Sequence, residues 1–307
     1  MCHTGNMIFV REDLLPHLEQ IMIVVKLTGG LGNQMFQYAA GRRLALHHGT
    51  ELKLDRTSYD NQPANETPRH YELDCFNLKA SAATAAELQP TGLAERIKRK
   101  LAGQKSPALI YEKDFNFDPR ILEAADNSLL IGFWQSEKYF SDVADTIRSD
   151  FSFKTKPTGK NAELAEQSAS VNAISLHVRR ADYANDEATN KHHGLAPLDY
   201  YREAVKQLAA RAERPHFFVI SDDPDWCKAN IKIDFPTTFI NHNGDKGYED
   251  LRLMSLCRHH IIANSSFSWW GAWLNPRAGK IIYAPQRWLA NPNIDTGDVT
   301  PADWIRL

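Results

Sequence analysis

The chain has 307 residues, of which 43% are apolar, 24% charged and 10% aromatic. That is the composition of a globular protein with room for two ordinary domains or one large one. A net charge of −2 provides no global field for nucleic acid or anionic membrane, so any anionic ligand must be met by a local cluster.

No apolar run approaches the roughly 18 residues of a membrane-spanning helix. Residues 1–20 lack the basic-flanked apolar stretch of a signal peptide and read as an extension, with Met22 as the expected start. IMIVVKL then reads as a strand, GGLG as a turn, and NQMFQYAAGRRLALHHG as a helix ending on Gly49 in the C′ position. ELKLD is a second strand, and this order implies a parallel sheet. Residues 56–130 are polar and Pro-interrupted, with a basic helix candidate at AERIKRKLAG. SLLIGFWQSEKYF reads as a strand whose aromatics face a cleft, VADTIRSDFSF as a helix, and KTKPTGKN as a linker.

The pattern then restarts. AISLHVRR, HFFVISD, TTFINHN, IIANS and KIIYAP read as strands. Between them PLDYYREAVKQLAARAE, PDWCKANI, YEDLRLMSLCRHH and SFSWWGAWLN read as helices. Two α/β units therefore meet near residues 154–161. Cys2, Cys75, Cys227 and Cys257 are widely spaced and form no CxxC pair, which argues against a disulfide framework and a zinc site. The pairs His47-His48, His192-His193 and His259-His260 point apart on helix or strand and are poor metal ligands.

In open α/β sheets, ligands bind beyond the C-terminal ends of the strands. Five such ends carry polar or aromatic clusters: GGLGNQ, FWQSEKY, HVRRADY, ISDDPDW and ANSSFSWW. GGLGNQ is not GxGxxG, because Met35 occupies the third glycine's place, and no GK[ST] follows. Its glycines permit close backbone approach; the structural alternative is a tight turn with Asn33 as N-cap. Asp223-Pro-Asp225 has the DxD form of a metal-holding motif, or else Ser221 or Asp222 caps a helix with Pro224 in its first turn. ANSSFSWWGAW places hydroxyls at a helix start, a phosphate site that needs no lysine. Alternatively Ser266 or Ser268 caps the helix while Trp269, Trp270 and Trp273 fill the core. In HVRRADY, His177 and Arg179 share one strand face, opposite Leu176 and Val178, and a guanidinium at a strand end suits a diphosphate. The alternative is an ion pair of Arg179 or Arg180 with Asp182.

Together GGLGNQMFQYAAGRRLA (29–45), HVRRADY (177–183), SDDPDWCK (221–228) and LMSLCRHHIIANSSFSWWGAWLN (253–275) resemble the α-1,2-fucosyltransferases of glycosyltransferase family 11. The motifs fall within residues 22–290, nearly the whole chain, and Ala181 replaces the family's more usual glycine. The resemblance implies a GT-B fold of two Rossmann-like domains facing across a cleft. Residues 21–157 would form the acceptor side and 158–307 the GDP-fucose side. It implies inverting transfer from GDP-β-L-fucose to the 2-hydroxyl of a galactose, in an oligosaccharide or lipid-linked glycan. No metal or cofactor is expected, no nucleic-acid partner, and the implied location is the bacterial cytoplasm, peripheral at the inner membrane.

By motif match, Arg179 falls on the donor diphosphate, Arg180 supports it and His177 lines the site. Asn264, Ser265, Ser266 and Phe267 match the phosphate and nucleoside loop, and Asp250 an acidic residue for guanine. Gly30, Gly32, Asn33 and Gln34 match the element beside the transferred sugar. The catalytic base is nominated as Asp182, with Glu187 and His177 as alternates. Two other readings stay open: a GT-B enzyme with a different nucleotide-sugar donor, and a carbohydrate-binding protein using the FWQSEKY and SFSWWGAW aromatics.

Overall fold

A computed structural model of the chain describes residues 22–60, 62, 68–88, 108–180 and 194–307. Residues 1–20 with Cys2, the basic helix candidate, His192-His193 and the end of HVRRADY lie outside the described residues. The first half forms a wholly parallel sheet of β1 (Met22–Lys26), β2 (Glu51–Asp55), β3 (Ser81–Ala82), β4 (Ala108–Tyr111) and β5 (Ser128–Ile131), in the order β3-β2-β1-β5-β4. Central β1 is covered on both faces, which is why it reads as an unbroken apolar run rather than an alternating one. Helix α1 (Leu31–His48) carries the chain from β1 to β2 and ends on Gly49, whose φ of 62° is the left-handed conformation a C-terminal glycine supplies. A short helix α2 (Ala85–Leu88) follows β3.

The second half builds another parallel sheet from β6 (Asn172–Val178), β7 (Pro215–Ser221), β8 (Thr237–Ile240), β9 (His259–Ile261), β10 (Ile282–Ala284) and β11 (Ile305–Arg306), ordered β11-β10-β9-β6-β7-β8. Helices α3 (Ala144–Asp150) and α4 (Lys160–Ser170) lie between the halves in sequence. Helices α5 (Leu198–Arg211), α6 (Pro224–Asn230), α7 (Gly247–Leu256) and α8 (Ser266–Trp273) link the later strands.

Helix α8 ties the two halves together. Trp269 and Trp270 are fully buried, and their rings lie 4.4 and 5.0 Å from that of Phe36 on α1, with Phe140 stacked on Trp270 at 5.4 Å. Each indole N–H is satisfied, Trp269 by the Val299 carbonyl, Trp270 by that of Gly32 and Trp273 by a Glu137 carboxylate oxygen. Truncating such a side chain typically costs about 3–5 kcal/mol, so the halves share one core rather than touching loosely. The same packing corrects the expectation that the FWQSEKYF aromatics face a cleft. Trp134, Tyr139 and Phe140 are 1, 2 and 0% exposed, because these rings form core.

The histidine pair of β9 points apart as expected. His259 Nδ1 accepts the Ile281 N–H, while His260 lies between Ser175 and Asn275. Among the described residues no group of three or more His, Cys, Asp or Glu is placed to hold a metal, and no helix is long and apolar enough to cross a membrane.

Candidate active site at the facing strand ends

The C-terminal ends of the two sheets meet through the N-termini of α1 and α8. An added β-carbon on Gly32 would overlap the backbone of Ser266 and Phe267, so only glycine lets the two helix starts touch. Across this contact Ser266 Oγ donates to Asn33 Oδ1 at 2.8 Å, and Gln135 Nε2 donates to the same oxygen at 3.0 Å. Gln135 in turn accepts the Trp288 indole N–H at 3.1 Å. The end of β1, the end of β5 and the start of α8 are thus one hydrogen-bonded unit.

Both helix starts differ from the expected caps. Gly30, not Asn33, is the N-cap of α1, and Asn33 reaches across to the other half. The N-cap of α8 is Ser265, rather than Ser266 or Ser268, and its side chain makes no capping bond. Ser268 turns inward to the carbonyls of Ala263 and Ser265. The leading amides of α8 have no intrahelical acceptor, and the Ser265 hydroxyl stands beside them, a disposition that favours an anion.

Arg179 and Arg180 leave the end of β6 in different directions. Val178 is in register with Ser221 of neighbouring β7, so the next residues of each strand lie side by side. Arg179 Nε is 3.2 Å from Asp222 Oδ2, and the Arg180 amide donates to Asp222 Oδ1 at 2.8 Å. The Arg180 guanidinium lies 4.2 Å over the Trp226 ring and 3.6 Å from Asp223. The partners found for both arginines are therefore the aspartates of ISDDPDW; Asp182, the alternative partner, lies outside the described residues, as does Glu187. Asp223 also accepts the Trp226 N–H as cap of α6, correcting the assignment of that cap to Ser221 or Asp222, while Asp225 is left beside Lys228 on the surface.

His177 is 3% exposed with its ring 5.5 Å from Phe267, and burial together with the Arg179 charge pushes it down to about 3, so it is neutral. Phe267 also lies against Gly247 at the start of α7. Further along α7, Asp250 accepts the Asn243 amide at 2.6 Å, and Asn243 is bonded to Asn161, which meets His242. Burial foremost, against that Asn243 bond, raises the Asp250 carboxyl above its ordinary range. Asn264 does not aim its amide at the cleft, because Nδ2 donates to the carbonyls of Gly194 and Trp288 and so ties two loops.

Gln34 is fully buried and acts on the backbone rather than on a ligand. Its Nε2 donates to the Gly29 and His70 carbonyls, and its Oε1 accepts the Glu72 N–H at 2.9 Å. This clamp presents Glu72, which the sequence reading missed, to the start of α1, where its Oε2 accepts the Leu31 N–H at 2.9 Å.

On the other side of β5, Glu112 accepts the amides of Phe133 and Trp134 at 2.6 and 2.8 Å and holds Trp134 at a φ of 57°. Burial outweighs those two bonds and lifts the Glu112 carboxyl to about 7. Trp134 also lines a cavity of about 270 Å³ with Tyr111, Asn116, Phe117 and Tyr139, and its indole N–H is buried without an acceptor among the described residues.

A family model, Glycosyl transferase family 11, matches residues 117–307. An alpha-1,2-colitosyltransferase of Escherichia coli is 33% identical over 297 residues, covering 93% of this chain and 99% of that one. The O-antigen biosynthesis glycosyltransferase WbnK, also of Escherichia coli, is 29% identical over 92% of this chain and 99% of its own. Among solved structures, fucosyltransferase NodZ from Bradyrhizobium aligns with a TM-score of 0.48 at 15% identity, over 82% of this chain and 92% of that one. Two parallel Rossmann-like sheets with facing strand ends form a GT-B-type fold, and the chain belongs to glycosyltransferase family 11.

Proposed function

We propose that the protein is an inverting α-1,2-L-fucosyltransferase that moves fucose from GDP-β-L-fucose to the 2-hydroxyl of a galactose. One observation supports this above the rest. The unfilled N-terminus of α8 and Arg179, braced by Asp222, belong to the same strand-end face as His177 and Phe267. As fucose departs through an oxocarbenium-like state, negative charge builds on the β-phosphate, and fixed amides and a guanidinium stabilise it there.

In this reading Ser265 adds a hydroxyl to the phosphate site and Ser266, whose hydroxyl is engaged by Asn33, adds its backbone amide; Phe267 packs by the nucleoside, and Asp250 accepts the guanine N–H groups. Arg180 holds the loop by stacking on Trp226, and neutral His177 lines the floor without adding charge. Gly30 and Asn33 border the transferred sugar, Gly32 is closed off by Ser266 and Phe267 and joins the two helix starts, and Gln34 and Asn264 act by positioning loops. The first half carries the acceptor. A lectin reading is weakened because the tryptophans it would use are buried.

One observation favours a second donor: a relative at 33% identity carries the name alpha-1,2-colitosyltransferase, and colitose is fucose without its 3-hydroxyl. The test is transfer from GDP-fucose and GDP-colitose to β-galactosides, with the product linkage read by NMR. We expect an α-1,2-linked fucosyl galactoside as the main product. Preferred transfer of colitose would change the donor; no transfer from either would overturn the proposal.

A further inference from the structure

We infer that Glu72 is the catalytic base, taking the proton of the acceptor hydroxyl at its Oε1; the inference rests on the glycosyl transfer proposed above. The position is built. Gln34 clamps the chain leading into Glu72, bonding the His70 carbonyl and the Glu72 amide on either side of Tyr71 at 2.7 and 2.9 Å. The Leu31 N–H fixes Oε2, while Oε1 has no hydrogen bond among the described residues. Arg69 Nη1 and Glu72 Oε2 lie 3.7 and 3.8 Å from where a side chain on residue 30 would begin, so Gly30 borders this carboxylate and the guanidinium beside it.

The location suits a single displacement. The diphosphate is assigned to the start of α8 in the second half, whereas Glu72 stands at the start of α1 in the first. A nucleophile that inverts the anomeric carbon arrives from the side opposite the leaving group, and its base must be within hydrogen-bond reach there. In the step, the acceptor O–H proton passes to Oε1 as the acceptor oxygen bonds to the anomeric carbon. The anomeric C–O bond to the β-phosphate breaks, and its electron pair leaves with GDP. The proton on Glu72 is then released to solvent.

The surroundings agree with this role. Burial raises the Glu72 carboxyl, opposed by the Leu31 amide and by the charges of Arg69, His70 and Arg179, and the Tyr59 phenol feels the same carboxylate. A carboxylate lifted above its ordinary range is a stronger proton acceptor.

A purely structural Glu72 would serve only as a remote cap for α1, whose own N-cap is a glycine. Glu72→Gln separates the two, because the amide oxygen still accepts the Leu31 N–H but cannot take a proton. We expect kcat to fall about 100-fold or more, with GDP affinity and donor KM changed by less than about 3-fold and Tm by less than about 4 °C. The acid limb of the wild-type kcat profile should vanish from the residual activity. Near-wild-type turnover with that limb intact would overturn the assignment, as would an Asp182→Asn variant that loses the limb while Glu72→Gln keeps it. Should Glu72→Gln misfold, Glu72→Asp keeps charge but shortens reach: a kcat loss with unchanged donor KM supports the base, and unaltered kcat refutes it. An active wild type beside a fully active Glu72→Gln sinks only the base. A wild type inactive with every GDP-sugar tried sinks the transfer reading and the base with it.

Discussion

The starts of α1 and α8 are the same physical device used in two ways. Both follow a parallel strand, both lack a side-chain cap, and they touch through Gly32. The α1 start is already occupied by a carboxylate of the protein, because Glu72 accepts its first amide. Among the described residues the α8 start has no such partner, and Arg179, paired with Asp222, follows the end of β6 beside β9, the strand that leads into α8. A helix terminus neutralised from within is a poor anion site, while an unfilled one beside a guanidinium is a good one. In the proposed reading, leaving-group chemistry falls to the second half and proton chemistry to the first.

This contrast can be broken in graded steps. Arg179→Ala should have the largest effect, lowering transfer by about two to three orders of magnitude. The protein should remain folded, since Asp222 keeps the Arg180 amide; steady-state kinetics with circular dichroism reads both. Gly32→Ala forces the two helix starts apart, because its β-carbon meets backbone rather than a movable side chain. A loss of about 1–3 kcal/mol in a denaturant melt, with a raised donor KM, is expected. Ser266→Ala removes one bond across the interface, from Ser266 Oγ to Asn33; about 0.5–1.5 kcal/mol of stability should go, with a modest change in donor KM. EDTA should leave the rate unchanged, and a strict Mn²⁺ requirement would revive the metal reading of Asp223 and Asp225.

Much of this arrangement was legible in the residues. ELKLD is β2 residue for residue, and Gly49 ends α1 as its type predicts. Both rest on local physics, strand patterning and backbone freedom. What escaped was set by tertiary contact. Helix α4 buries only Leu164 and Ser168 of its eleven residues, and with one large apolar side chain it carries little signal of burial. Strand β9 starts on two histidines that resemble a helix end until Ser175, Asn275 and the Ile281 amide satisfy them. Glu72 sits in an irregular stretch and gains its place only through Gln34, 38 residues earlier in the chain. The aspartates that pair with Arg179 and Arg180 are the exception: both clusters had been read at strand ends, and only the adjacency of β6 and β7 was needed to join them.

The central claim is that the second half holds the diphosphate at α8 and Arg179. Titration of GDP into the wild type and Arg179→Ala, followed by calorimetry, tests it most directly. The account predicts saturable binding by the wild type and at least about tenfold weaker binding by the variant. Equal affinity in the two proteins would contradict it.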